Sequence, residues 1–303
     1  MQSGALPPKF KISDWIADDF SPLVGRGIPI DWSRFLPMWE AQKFQWGDTM
    51  ACDYFATNNV VETQYIYLTG LERNFSDRWL AKMGGNTRGG SSMEQAADAI
   101  RKYGLVDESL WPSDATSWDE YYKDIPQEII DKGLEFNKEW SVYREWVKGF
   151  PDNIHRALFD TPLVMFVKYA DGNGILNPTG IPDHFVMAFA SDYGKSFTCF
   201  DHYSQKINRY AWDYNFRGVM KLTLLKKNNN IMTIKNNTLL QLVQGSGNFG
   251  MFLDGKIIVD DLDKILATFL VRTKGDIRDM VKAMTLEEWS KYPHIDLKGN
   301  LTD

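Results

Sequence analysis

An α+β fold, with helices first and an antiparallel sheet after them, is what this sequence predicts, and three observations carry the prediction. From about residue 48 apolar side chains recur at three- and four-residue spacing, the period of a helix. Between residues 163 and 225 lie four apolar runs, LVMFVKYA, HFVMAFA, SFTCFDHY and VMKLTLL, broken by Gly, Asp, Asn and Pro as strands are. The two kinds of segment are also segregated along the chain, the helical ones preceding the extended ones.

Taken in order, residues 1–40 are rich in Pro, Trp and Asp (ALPPKF, SPLVGRGIPIDW) and predict extended, wrapping chain. Ala51, Tyr54, Phe55, Val61, Tyr65 and Leu68 then mark a helix for which Asp48 or Thr49 is available as N-cap. A second helix is expected over 93–103, stopped by Gly104, a third over 128–147 and a fourth over 153–159. The strands follow, and Lys226-Lys227-Asn228-Asn229-Asn230 is the best internal boundary. Beyond it TLLQLV, FGMFLD and GKIIVD read as strands with a tight hairpin at Asp254-Gly255. Two helical stretches close the chain, the second opening on a capping-box spacing at Thr285-Leu286-Glu287-Glu288. The organisation expected is an extended segment over 1–40, a main domain over 41–227 and a small α+β module over 231–303.

Composition narrows the function classes. The 303 residues are 44% hydrophobic and 14% aromatic, with 11 Trp, so a sizeable core is available. A formal charge of −6 argues against a general nucleic-acid binder, which carries a basic face. No apolar run approaches a membrane span, and MQSGALPPKFKISDW lacks the hydrophobic stretch of a secretory signal, which predicts a cytoplasmic or virion-associated protein. Two cysteines, Cys52 and Cys199, exclude a disulfide-stapled scaffold and a four-cysteine metal site. No His/Cys/carboxylate spacing suggests a metal, and no cofactor is expected.

Cys52 sits where loop turns into helix. Unpaired N–H groups and the helix dipole favour thiolate there, and the thiolate is the attacking species. A cysteine hydrolase also needs a His to take the thiol proton and a third group to orient that ring. Of the four histidines, His184 opens a strong strand behind the loop DGNGILNPTGIPD, and Asp201 ends the next one. His202 is a structural residue or the runner-up base, while His155 and His294 carry no signal. Taken alone, Cys52 is most often a small buried apolar residue, and Cys199 reads as core.

The segments IDWSRF, GDTMACDYFA, NTRGGSSMEQAADAIRKYGLVDESLWP, NIHRALFDTPLVMFV and DHFVMAFA, in that order, resemble the papain-like cysteine peptidases over most of residues 30–225. His184 and Asp201 follow Cys52 at the family's interval of about 130–150 residues. The resemblance implies a two-lobed fold and a peptidase or amidase acting through a thioester. Cys52 would be the nucleophile, His184 the base and acid, and Asp201 the residue in the family's asparagine slot. Gln42 or Gln45 would donate to the oxyanion beside the Cys52 N–H, with Gln42 slightly favoured. Gly89-Gly90 would pair an extended peptide or protein substrate.

Departures accompany the likeness. Asp53 replaces the family's tryptophan, and a carboxylate beside the thiol opposes thiolate formation. Met50-Ala51 replace glycine-serine, Thr49 replaces a disulfide cysteine, and His202-Tyr203 replace serine-tryptophan. These changes and the extra module motivate an alternative expectation, a non-catalytic papain-fold protein serving as a binding or structural component. The module at 231–303 is then a device for docking to a larger assembly, in a chain whose style suits a bacterial or phage protein.

Overall fold

A computed structural model describes residues 5–9, 30–203 and 206–227, together with backbone strands at 16–17, 242–245, 248–253, 256–260, 294–295 and 301–302. The expected C-terminal helices and the capping box at Thr285 lie outside the described residues, as does most of the 1–40 segment. The chain divides into two compact units, Met1–Asn228 and Asn229–Asp303.

In the first unit the helices are α1 (Cys52–Thr69), α2 (Asp77–Met83), α3 (Met93–Tyr103), α4 (Trp118–Tyr121), α5 (Gln127–Glu139) and α6 (Pro151–Ala157). Its strands are β1 (Ile16–Ala17), β2 (Ile30–Asp31), β3 (Lys43–Phe44), β4 (Gly47–Asp48), β5 (Trp140–Val147), β6 (Leu163–Val167), β7 (Ile175–Leu176), β8 (His184–Asp192), β9 (Ser196–Phe200), β10 (Ile207–Ala211) and β11 (Gly218–Lys226). The main sheet runs β1-β5-β11-β6-β8-β9-β10-β7, with β2 added to β8; it is antiparallel apart from β1 on β5 and β7 on β10. The α+β reading holds, helices before sheet.

The central helix α1 is buried on every side from Cys52 to Gln64, so polar residues that would face solvent on an amphipathic helix must find partners inside. They do. The Asn58 amide donates to Phe75 O and Asp77 Oδ1, and the Gln64 amide clips onto β11 by donating to Leu222 O at 3.0 Å and accepting from Leu224 N at 2.9 Å. Two details of the sequence reading change. Helix α1 starts at Cys52 with Ala51 as its N-cap and no side-chain cap, so neither Asp48 nor Thr49 caps it. The helix expected over 128–147 stops at Glu139, and Trp140–Val147 is strand β5. There Trp140, Val142 and Trp146 share the buried face and β11 pairs along the whole segment, so tertiary pairing overrides a mixed local pattern. Gly104 ends α3 at φ 72°; a Cβ there would lie 1.8 Å from Gly133 O, so α3 and α5 meet through backbone and only glycine fits.

Behind α1 four carboxyl groups gather: Glu40, Glu62, Asp77 and Glu108. Glu62 accepts from Phe75 N, Asp77 from Asn58 and Glu108 from Ser113. Burial raises all four above their ordinary values, and repulsion from neighbouring carboxylates adds to it for Glu62, Asp77 and Glu108, Glu108 reaching about 7. A folded-state carboxyl that holds its proton more tightly than the unfolded chain stabilises most at low pH and loses that contribution as pH rises through the folded value. His202, pushed down to about 4 by burial, works in the other direction below its ordinary 6.5. The melting temperature of this unit is therefore expected to be highest at mildly acidic pH and to fall by about 2–4 °C or more toward pH 8. Thermal unfolding across pH checks this, and Glu62→Gln should flatten the alkaline slope.

The second unit contains β12 (Leu242–Gly245), β13 (Asn248–Leu253), β14 (Lys256–Asp260), β15 (His294–Ile295) and β16 (Leu301–Thr302), in that order in one sheet. Strands β13 and β14 pair antiparallel with Leu253 opposite Lys256; the tight turn expected at Asp254-Gly255 lies outside the described residues.

Candidate active site

The first residue of α1 meets the second residue of β8. Cys52 and His184 are both fully buried, and the Phe185 backbone N–H, one residue from His184, points at the Cys52 thiol. Burial pushes the thiol well up from its ordinary value; Asp53 adds to that, and the Phe185 N–H opposes it. Cys52 and Cys199 are both free thiols, Cys199 lying in the core on β9.

Strand pairing delivers the third residue. Met187 on β8 faces Phe200 on β9, so continuing that register sets Asp201 opposite Val186, two residues from His184 and on the same face. His184 Nε2 lies 2.8 Å from Asp201 Oδ1. The same Oδ1 accepts from the backbone N–H groups of His202 (2.7 Å) and Tyr203 (3.1 Å), and Oδ2 accepts from Asn208 Nδ2 at 2.7 Å. Burial works to raise the Asp201 carboxyl, but His184 and these donors bring it below its ordinary value. An ionised carboxylate only accepts, so Nε2 carries the hydrogen and Nδ1 of the neutral ring carries the lone pair. That Nδ1 is buried and has no hydrogen-bond partner. Tyr169 and Tyr203 pack edge-on with the imidazole at 5.5 and 5.8 Å between centroids.

His202 faces elsewhere. Its Nε2 meets the Asn59 amide of α1 at 2.8 Å, and its ring is tilted against Phe55 and edge-on to Phe200. It ties helix to sheet, in keeping with the structural reading.

The two glutamines part company. Gln45 is exposed at the turn of the hairpin formed by β3 and β4. Gln42 is fully buried, held by its backbone N–H to His202 O at 2.9 Å, and its amide donates to Asp48 Oδ1 at 2.8 Å. Asp48 also accepts from Met50 N–H, where Met50 takes φ 57°, the one positive-φ non-glycine among the described residues. The hairpin thus lengthens the chain between Gln42 and Cys52 without moving Gln42 away from the loop after Asp201. Asn59 and Tyr169 were not singled out in the sequence, where each is an ordinary helix or strand residue, and Asp48 was read there only as a candidate N-cap.

Gly89 is exposed and Gly90 buried in a turn closed by Gly90 N–H to Thr87 O, with Gly90 at φ 82°. Next to it Ser91 bridges Ala5 in parallel, and Leu6 N–H donates to Ser91 O at 2.8 Å. Asp53 is fully buried, with Oδ1 2.8 Å from Ser91 Oγ. Among the described residues, no group of three or more His, Cys, Asp or Glu is placed to hold a metal ion, and no helix is long and apolar enough to cross a membrane.

Helices followed by a largely antiparallel sheet make a papain-like α+β fold, and solved structures bear the fold out. Xylellain, a cysteine protease from Xylella fastidiosa, matches with a TM-score of 0.58 at 14% identity, over 74% of this chain and 95% of that one. Digestive procathepsin L 3 of the Tenebrio molitor larval midgut matches with a TM-score of 0.53 at 17% identity, over 73% of this chain and 74% of that one. The chain spans 66% of the length of the ragweed pollen cysteine protease Amb a 11 in its proform. No protein-family model and no curated protein matches the sequence. The chain has a papain-like fold and is a divergent example of it.

Proposed function

We propose that this protein is a papain-like thiol peptidase or amidase, with its hydrolase domain over 41–227. The observation that carries the reading is the unpartnered, buried Nδ1 of a histidine whose other nitrogen is fixed on Asp201, next to a residue whose N–H reaches the Cys52 thiol. Cys52 Sγ attacks the scissile carbonyl carbon while His184 Nδ1 takes the thiol proton, and Asp201 stabilises the imidazolium. The oxyanion is met by the Cys52 backbone N–H and by the Gln42 amide. As the tetrahedral adduct collapses, His184 returns the proton to the leaving amine and a thioester remains on Cys52. Water, deprotonated by the same imidazole, releases the acid and the thiol. An extended peptide pairs with the edge at Gly89-Gly90, a proposal supported by the way Ala5 and Leu6 already line the adjoining Ser91.

One observation favours a second reading. The thiol and the imidazole have no exposed surface, and burial holds the thiol protonated, as suits a papain-fold protein retained for binding. In either reading the 231–303 module serves to dock the chain to a larger assembly. Treatment with a peptidyl epoxide followed by peptide mass mapping separates the two. The peptidase is expected to carry one adduct, on Cys52; a folded protein left unlabelled there would leave the binding reading standing.

A further inference from the structure

Hydrogen counting around Asp53 identifies a residue outside the triad that governs the nucleophile. The Asn86 amide nitrogen lies 3.0 Å from Thr49 O, an acceptor only, so Nδ2 faces that carbonyl and Oδ1 is turned to Ser91. Asn86 Nδ2 also contacts the Tyr122 hydroxyl, which donates to Thr49 O at 2.7 Å. Asn86 Oδ1 is 2.9 Å from Ser91 Oγ, and an amide oxygen cannot donate, so the single Ser91 hydroxyl hydrogen goes to Asn86. The remaining contact, Ser91 Oγ to Asp53 Oδ1 at 2.8 Å, then needs its hydrogen from Asp53.

We propose that Asp53 is a positioning residue that works as the neutral acid. It donates to Ser91, ties the first turn of α1 to the loop carrying Gly89-Gly90, and shuts off Cys52 when rising pH ionises it. The inference rests on the reading of Cys52 as nucleophile. It also removes the objection raised by a carboxylate beside that thiol, because a neutral acid exerts no charge repulsion on a developing thiolate. Total burial and the adjacent Glu94 on α3 hold the proton on Asp53 against the pull of the Asp53 and Tyr54 N–H groups. Cys52 and Tyr54 on its own helix and Tyr122 beyond α4 are the other titratable groups coupled to it. Each is neutral when protonated, so none supplies a cation that would stabilise the carboxylate.

Asp53→Asn supplies the test, since its amide can donate to Ser91 and cannot ionise. Alkylation of Cys52 by iodoacetamide is expected to stay within about threefold of wild type at neutral pH. The wild-type rate should fall on the alkaline side, and the variant should lack that fall. An infrared difference between wild type and variant should show one carboxylic-acid carbonyl stretch lost, which reports the Asp53 proton whether or not Cys52 reacts. Asp53→Ser, a smaller neutral donor, repeats the comparison should the amide not fit the site. Loss of a carboxylate band instead, a drop of about 100-fold at neutral pH in a folded variant, or identical alkaline limbs would overturn the proposal. A lost acid band with Cys52 unreactive in both proteins would instead sink the peptidase reading and leave the protonation of Asp53 standing.

Discussion

Cys52→Ala is expected to lower peptide hydrolysis by about 10,000-fold or more while leaving the fold intact. Under the peptidase reading the Cys52 sulfur forms the acyl intermediate, and the chain's other thiol, Cys199, is buried in the core on β9. Stability should change by about 1 kcal/mol or less, because only one small apolar group is removed from the start of α1. Turnover measured beside urea unfolding checks both halves. A variant that keeps its biological activity in full would move the protein to the binding reading.

Asp201 is expected to show the second large effect, and to show it differently for two substitutions. Asp201→Ala leaves four buried donors without an acceptor: His184 Nε2, the His202 and Tyr203 N–H groups, and Asn208 Nδ2. Breaking a buried, hydrogen-bonded charge in this way costs about 3–5 kcal/mol. Loss of the fixed ring tautomer should lower kcat/KM by about 1,000- to 10,000-fold. Asp201→Asn keeps an oxygen for the first three donors and sets its new NH2 against Asn208 Nδ2. Asn208 Oδ1 is buried without a partner, so turning that amide over provides an acceptor. This variant should cost only about 1–2 kcal/mol and keep activity within about tenfold. Chemical denaturation and kcat/KM on the pair test the assignment; equal damage from both would show that Asp201 acts by bulk or charge alone.

Much of this architecture was legible in the chain because it rests on local pattern and order. The Phe- and Val-rich runs became β6, β8, β9 and β11, and the interval from Cys52 to His184 and Asp201 brought one helix start and two neighbouring strands to one place. What was not legible depends on partners far away in sequence. Trp140–Val147 reads as a continuation of a helix until β11 arrives to pair with it. The β3–β4 hairpin hides the fact that Gln42, ten positions before Cys52, stays buried while the nearer Gln45 is carried to an exposed turn. Asp53 looked hostile to a thiolate because its proton is set by Ser91 and Asn86, contributed by a loop 38 residues on in the case of Ser91.

The account stands on Cys52 and His184 acting as one unit. Its most direct test is the rate at which iodoacetamide alkylates Cys52 in wild type and in His184→Ala at mildly acidic pH, read by mass spectrometry with Cys199 as the internal buried thiol. The wild-type rate should exceed that of the variant by about 100-fold or more, since the imidazole supplies the base. Equal rates in the two folded proteins would contradict it.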